Sequence, residues 1–330
     1  MDKKKPKKKK GVSNKKRSSA SKPMYLKRAL IGVGILMILV LVAGLALNRM
    51  VSRRTTVPSG SQPPPVAHKI KPPTPTPEIK PPQFEVYPQS EPAEPESPLP
   101  PPLPETGVLP RAAIIIDDMG YDIQIAKRLI QIDSAITWSV LPGSPFQKQI
   151  VQMASEANVE LMLHLPMEPR EFPQINPGPG ALLSTMIPDQ LIAQLNSDLD
   201  AVDHIRGVNN HMGSRLAELS PQMDQVLSTI KLRNLFFIDS LTTSGSMIRS
   251  SARLFRVPFA QRDVFLDHVS GREAVRKQIH LLIQTAVRRG HAIAIGHPHE
   301  TTCRILSEEI NNIRKSIQIV PASQLVHILN

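Results

Sequence analysis

The feature that most constrains this chain is the run Ile114-Ile115-Ile116 closing on Asp117-Asp118-Met119-Gly120. An unbroken apolar row, bounded by turn chemistry and followed by a helical pattern, predicts a strand buried on both faces of a parallel sheet. Two adjacent carboxylates at its end lie where helix-covered sheets bind ligands, beyond the C-terminal ends of the strands.

The same pattern repeats downstream. Apolar strand-like runs at 112–116, 136–141, 159–163, 207–209, 235–238, 264–266, 292–295 and 317–320 alternate with amphipathic stretches near 123–130, 145–157, 188–202, 221–231 and 272–289 and a last helix from Thr301. A proline- and glycine-rich loop separates the third strand from Pro188. Roughly seven strand-helix alternations imply parallel strands with right-handed crossovers. The predicted fold is therefore α/β, a distorted (β/α) barrel of roughly seven strands over 111–330. An open doubly wound sheet shows the same alternation and is the runner-up.

Charge is distributed unevenly. Of 330 residues, the first 28 hold thirteen Lys and Arg against Asp2, which accounts for the whole formal +12; the other 302 carry 27 of each sign. The basicity belongs to a tail without aromatic platforms or base-reading motifs, so nucleic acid is not an expected partner. Residues 29–47 are uncharged and rich in Leu, Ile and Val; at ~1.5 Å per residue they reach roughly 28 Å, enough for a transmembrane helix. The basic flank predicts a cytoplasmic tail (1–28) at the cytoplasmic, inner membrane, with the C-terminal bulk extracytoplasmic or periplasmic. Residues 48–110 read as a disordered linker, with 19 of the 33 prolines falling in 58–110. It is a spacer that could also dock an envelope protein partner. The single cysteine, Cys303, excludes an internal disulfide and any multi-cysteine zinc site.

Polar residues with chemistry share one address. Asp117, Asp118, His164, His211, Asp239, Asp267 and His297 each follow an apolar strand-like run, so parallel strands would bring all seven to one rim. Singly, each aspartate is explained by capping a helix or fixing a turn, and each histidine as a hydrogen-bonded structural group. Together, three histidines and a carboxylate pair offer the N and O ligands preferred by zinc or a similar divalent ion. His68, His204, His268, His280, His291 and His327 lie in the linker, on helices or at strand starts and read as structural or exposed. Trp138 sits inside an apolar strand pattern and reads as core.

Ile-Ile-Ile-Asp-Asp-Met-Gly (114–120), Leu-His-Leu-Pro-Met-Glu-Pro (163–169), Asn-Asn-His-Met-Gly-Ser (209–214), Phe-Ile-Asp-Ser (237–240) and Ile-Gly-His-Pro (295–298) together resemble the divergent polysaccharide deacetylase family. This family is a branch of the metal-dependent carbohydrate N- and O-deacetylases with a distorted (β/α) barrel. The resemblance implies a glycan substrate, Asp117 as general base, Asp118 with His164 and His211 as metal ligands, and His297 as general acid. Asp239 would orient His297, while Asn210, Arg262, Asp267 and His299 would face the substrate, His299 being able to exchange roles with His297. The chain departs from the better-known deacetylases in having only His164 where they carry His-x-x-x-His, and in lacking their arginine motif, a place open to Arg215 or Arg262. The expected function is a membrane-anchored, extracytoplasmic metal-dependent hydrolase acting on C–N or ester bonds of an acetylated envelope glycan. The alternative is a catalytically inactive barrel serving as an envelope binding or scaffold protein. A phosphoester hydrolase ranks last, because no Gly-rich phosphate cradle is present.

Overall fold

In the computed structural model, the structure describes residues 109–330 and, upstream, Met37 alone. The tail, the span at 29–47 and nearly all of the linker expected from the sequence lie outside the described residues. Among the described residues, no helix is long and apolar enough to cross a membrane.

Strand β1 (Arg111–Met119) leads to helix α1 (Ile123–Ile132), β2 (Thr137–Val140), α2 (Gln147–Glu156), β3 (Leu161–Met167), α3 (Pro188–Ala201) and β4 (Ile205–Met212). Then come α4 (Ser220–Leu232), β5 (Phe236–Asp239), α5 (Ile248–Phe255), β6 (Pro258–Gln261), β7 (Val264–Phe265), α6 (Arg272–Arg289), β8 (His291–Gly296), α7 (Glu300–Ser316), β9 (Gln318–Ile319) and β10 (His327–Ile328). The helices start and stop where local chemistry requires. Asp122 caps α1 by accepting from the backbone N–H groups of Gln124 and Ile125, and α6 ends on Gly290 at φ 82°.

The strands form one sheet in the order β10-β6-β5-β4-β3-β2-β1-β8-β7, with β9 added beside β1. Every pairing is parallel except β10 on β6. From β6 to β1 the order follows the chain without reversal, so there is no switch point of the kind a doubly wound sheet needs. The chain itself bridges the two ends of the curl. Arg262 N–H donates to Asp239 O on β5 at 3.0 Å, and the next residue, Asp263, donates to Ile293 O on β8 at 2.8 Å, so consecutive residues bond on either side of the gap between β6 and β7. The architecture is thus the barrel kind, with more strands than the seven expected: the sheet has ten, of which β7, β9 and β10 are two residues each.

Strand alternation divides the core into two. Ala112, Ile114 and Ile116 of β1, Leu161, Leu163 and Leu165 of β3, Val208 of β4 and Phe237 of β5 belong to the cluster shared with the helices. Ala113 and Ile115, Met162, Phe236 and Ile238, Ile293 and Ile295 form the second cluster, which fills the barrel interior. Gly207 belongs to the interior file, where a Cβ would come within 2.2 Å of the Phe236 ring; the missing side chain lets that ring plug the barrel. Trp138 is fully buried among the outer cluster, as its strand pattern predicts.

Candidate active site

The interior files that fill the barrel also build the site. Continuing each by two residues, Ala113 and Ile115 lead to Asp117, Met162 to His164, Gly207 to Asn209 and His211, and Ile293 and Ile295 to His297. Asp118 should point away from Asp117 on a regular strand. It does not, because the β1–β2 register shifts between Ile116 and Met119, and Asp118 adopts φ 52°. This bulge turns a second carboxylate inward, and Asp is among the few side chains that tolerate the left-handed region.

Asp118, His164 and His211 converge on one point, all three buried. Asp118 Oδ1 lies 3.0 Å from His211 Nδ1 and 3.2 Å from His164 Nε2, and the two ring nitrogens are 3.2 Å apart. Three ligand atoms at about 2.1 Å from a tetrahedral zinc ion would be separated by roughly 3.4 Å, so the triangle is close to the dimensions of a metal face. Asp118 Oδ2 and His211 Nε2 are buried without a hydrogen-bond partner, and Asp118 Oδ1 faces only the two imidazoles. Such orphaned atoms are costly in a protein interior, and a bound cation resolves the cost at Asp118. Burial acts to raise the Asp118 carboxyl, but the His211 and His164 imidazoles facing it hold it well below the usual carboxylate range. These residues therefore fit a divalent metal as an ionised carboxylate with two imidazoles.

Asp117 flanks this face, with Oδ2 3.7 Å from His164 Nε2. Its Oδ1 accepts from Asn209 Nδ2 at 2.8 Å. Burial raises its carboxyl, and the opposing pull of His164, His297 and the Asn209 amide leaves a net upward shift. The two arginines considered for the family's arginine motif have partners of their own. Arg215 pairs with Glu168 at 3.1 Å, and Arg262 donates from Nε to Ser240 O at 2.8 Å while lying 4.8 Å over the Phe265 ring.

His297 stands on the other side, Nε2 3.9 Å from Asp118 Oδ2. The carboxylate that orients it is Asp267, where the sequence pattern points to Asp239. Asp267 Oδ1 bonds His297 Nδ1 at 3.0 Å, and Oδ2 accepts from the His297 backbone N–H and from Thr302 Oγ1, both at 2.7 Å. Asp239 has the parity of Phe237, which faces the helices, and it accepts instead from Ser246 Oγ at 2.7 Å and Leu241 N–H at 2.8 Å. Burial pulls His297 downward, but Asp267 outweighs it and the imidazole is pushed up to about 9. Asp267 is held low in return, burial being outweighed by His297. Asp267 is thus buried behind His297 rather than exposed to substrate.

The remaining candidates divide. Arg262 lines the cavity beside the site. Its neighbour Phe265 packs against His297 with ring centroids 5.4 Å apart. Asn210 also lines the wall, but its amide clamps loops, donating to Met212 O at 2.8 Å and accepting from Ser240 N–H at 2.9 Å. His299 is exposed, 5.8 Å from the His297 ring, and its desolvated side lowers its affinity for a proton. The pattern points to Asn210, whereas the residue used at the centre is Asn209, whose signal is only that it shares a file with His211.

The sequence model of the family described as divergent polysaccharide deacetylase matches residues 114–326. The uncharacterized protein YibQ of Escherichia coli K12 is 33% identical over 217 residues, covering 66% of this chain and 67% of that protein. An uncharacterized protein of Haemophilus influenzae is 31% identical over 216 residues, 65% of this chain and 76% of its own length. In fold, the crystal structure of the uncharacterized protein ATU2773 from Agrobacterium tumefaciens C58 superposes with a TM-score of 0.64 at 24% identity, covering 68% of this chain and 92% of that one.

Proposed function

We propose that this chain, which belongs to the divergent polysaccharide deacetylase family, is a zinc-dependent hydrolase that removes acetyl groups from a cell-envelope glycan. Its barrel would be held outside the cytoplasmic membrane by residues 29–47. The observation that carries the chemistry is the triangle of Asp118 Oδ1, His164 Nε2 and His211 Nδ1, flanked by an acid whose carboxyl is raised and a histidine whose imidazole is held protonated.

Bound at that triangle, a divalent cation supplies a Lewis acid for the acyl carbonyl and lowers the pKa of a water. Asp117 takes the proton of the attacking water, and burial makes its carboxylate a better base than an exposed one. His297 carries the other proton. With Nδ1 engaged by Asp267, its Nε2 is the nitrogen on the side of Asp118, and from there it protonates the departing amine or alkoxide. The cavity wall of Arg262 stacked on Phe265 keeps that ring in place and offers no extended aromatic platform, which suits a short stretch of glycan.

The test is zinc stoichiometry and acetate release by the purified protein on N- and O-acetylated glycans. The parent should bind one zinc ion and release acetate. Asp118→Asn should lose zinc, and Asp117→Asn should keep it while turnover drops by at least about 100-fold. A zinc-loaded parent that releases no acetate from any such glycan would overturn the hydrolase and leave a metal-binding barrel.

A further inference from the structure

We infer that Asn209 is the positioning residue of this site, a single carboxamide that fixes the ring tautomer of His164 and the orientation of Asp117 together. This rests on Asp118, His164 and His211 being the metal ligands.

Asn209 is fully buried on β4, in the interior file between Gly207 and His211. Its Nδ2 donates to Asp117 Oδ1 at 2.8 Å and to Ser240 Oγ at 3.4 Å. Its Oδ1 faces His164 Nδ1 at 2.8 Å and accepts from Ser139 Oγ as well. All four hydrogen-bonding positions of the amide are in use, the most an asparagine side chain can satisfy.

The directions of these bonds follow from one another. A carboxylate only accepts, so the NH2 end of Asn209 must face Asp117. The carbonyl end then faces His164, whose Nδ1 must carry a proton to bond to it. The ring's other nitrogen, Nε2, is left to present its lone pair, and this is the atom at the triangle with Asp118 and His211. Ser139 on β2 and Ser240 after β5 brace the amide from both sides; a hydroxyl can donate or accept, so the serines hold the amide in place while the carboxylate of Asp117 sets which end faces it. An aspartate here could accept from His164 but would set a second carboxylate against Asp117. A leucine could do neither.

Those two substitutions separate the two roles. Zinc affinity of the full-length protein, from chelator competition, and acetate release would be measured for Asn209→Asp and Asn209→Leu, with melting curves to verify folding. Asn209→Leu should weaken zinc binding about 10- to 100-fold, the usual effect of removing a group that orients a ligand histidine. Asn209→Asp should keep zinc within about threefold of the parent and lose acetate release by about 100-fold. Parent-like zinc affinity in Asn209→Leu, or equal loss of zinc in both variants, overturns the inference. A long-range proton–nitrogen correlation spectrum of the zinc-loaded parent gives a test independent of variant folding: His164 must show a protonated Nδ1, and the opposite tautomer overturns it. If the parent binds zinc but releases no acetate, the proposed hydrolysis fails while the zinc and tautomer measurements still decide the part played by Asn209.

Discussion

Asp267 and His297 form the one pair in the rim whose consequence can be read from a pH profile. Carboxylate contact raises His297 above an ordinary histidine, to about 9, even against burial. The proton-donating form is present below that value and is lost as pH rises through it. Activity should therefore fall on an alkaline limb at or somewhat below pH 9, since a cation beyond Asp118 pulls the limb down from there. Asp267→Asn keeps the shape and removes the charge, so the limb should move toward the ordinary histidine value of about 6.5. A limb that does not move, measured as turnover against pH in the two proteins, would take His297 out of the donor's role. Strand-end position alone identified Asp117, Asp118, His164, His211 and His297 as a set. It could not choose between Asp239 and Asp267, or between Asn209 and Asn210, because that choice depends on strand parity. Asp239 shares the file of Phe237 and Asn210 that of Val208, two residues packed with the helices, and the Asn210 amide is spent on Met212 and Ser240, whereas Asn209 follows Gly207 into the barrel. Asp118 breaks parity through its bulge, and nothing in the local sequence announces a bulge except the neighbouring Gly120, at φ 132°.

At the scale of elements, helix α5 and strand β6 were the least legible in the sequence. The buried face of α5 is Ile248, Ser251 and Ala252, so a serine occupies a place where apolar periodicity would be sought. That serine is satisfied by Asp224, its Oγ donating to Oδ1 at 2.6 Å. β6 has only four residues and opens on Pro258, which reads as an interruption rather than a strand. Strand β3 runs to Met167, past the His164 expected to end it, and β4 runs to Met212, past the expected end at Asn209, so His164 and His211 both sit on strand backbone. Helix α3 carries a titratable group unrelated to the site. Asp198 is buried against Gly180, where a Cβ would come within 2.4 Å of its Oδ1. One oxygen accepts from Gln194 Nε2 at 3.0 Å, and the other has no partner. Burial pushes its carboxyl up to about 7. A carboxyl raised on folding favours the native state fully below its unfolded value and loses that contribution as pH rises through the folded one. Asp198→Asn should accordingly stabilise the protein at pH 8 by about 1–3 kcal/mol and make little difference near pH 4. Denaturant melts at the two pH values would show it, and a variant less stable than the parent at pH 8 would mean that the charge is compensated.

Considered as a whole molecule, the described residues supply the sheet and its seam: the first strand begins at Arg111, the last ends at Ile328, and Arg262 and Asp263 bond to Asp239 on β5 and Ile293 on β8, on either side of the gap between β6 and β7. Every proposed site residue lies between Asp117 and His299, on strands of that one sheet or directly after them. The sequence reading gives the first 110 residues a different task, which is holding the domain at a membrane and at a distance from it. The two tasks are separable by experiment. A fragment of residues 109–330 should bind zinc with the affinity of the full-length protein and melt within about 2 °C of it, a difference under ~1 kcal/mol for a domain of this size. The full-length protein should remain with the membrane fraction through an alkaline carbonate wash, while a chain lacking 29–47 should be released. A lower melting temperature or weaker zinc binding in the fragment would show that upstream residues complete the domain. Release of the full-length chain by the wash would remove the membrane anchor and, with it, the argument that places the substrate in the envelope.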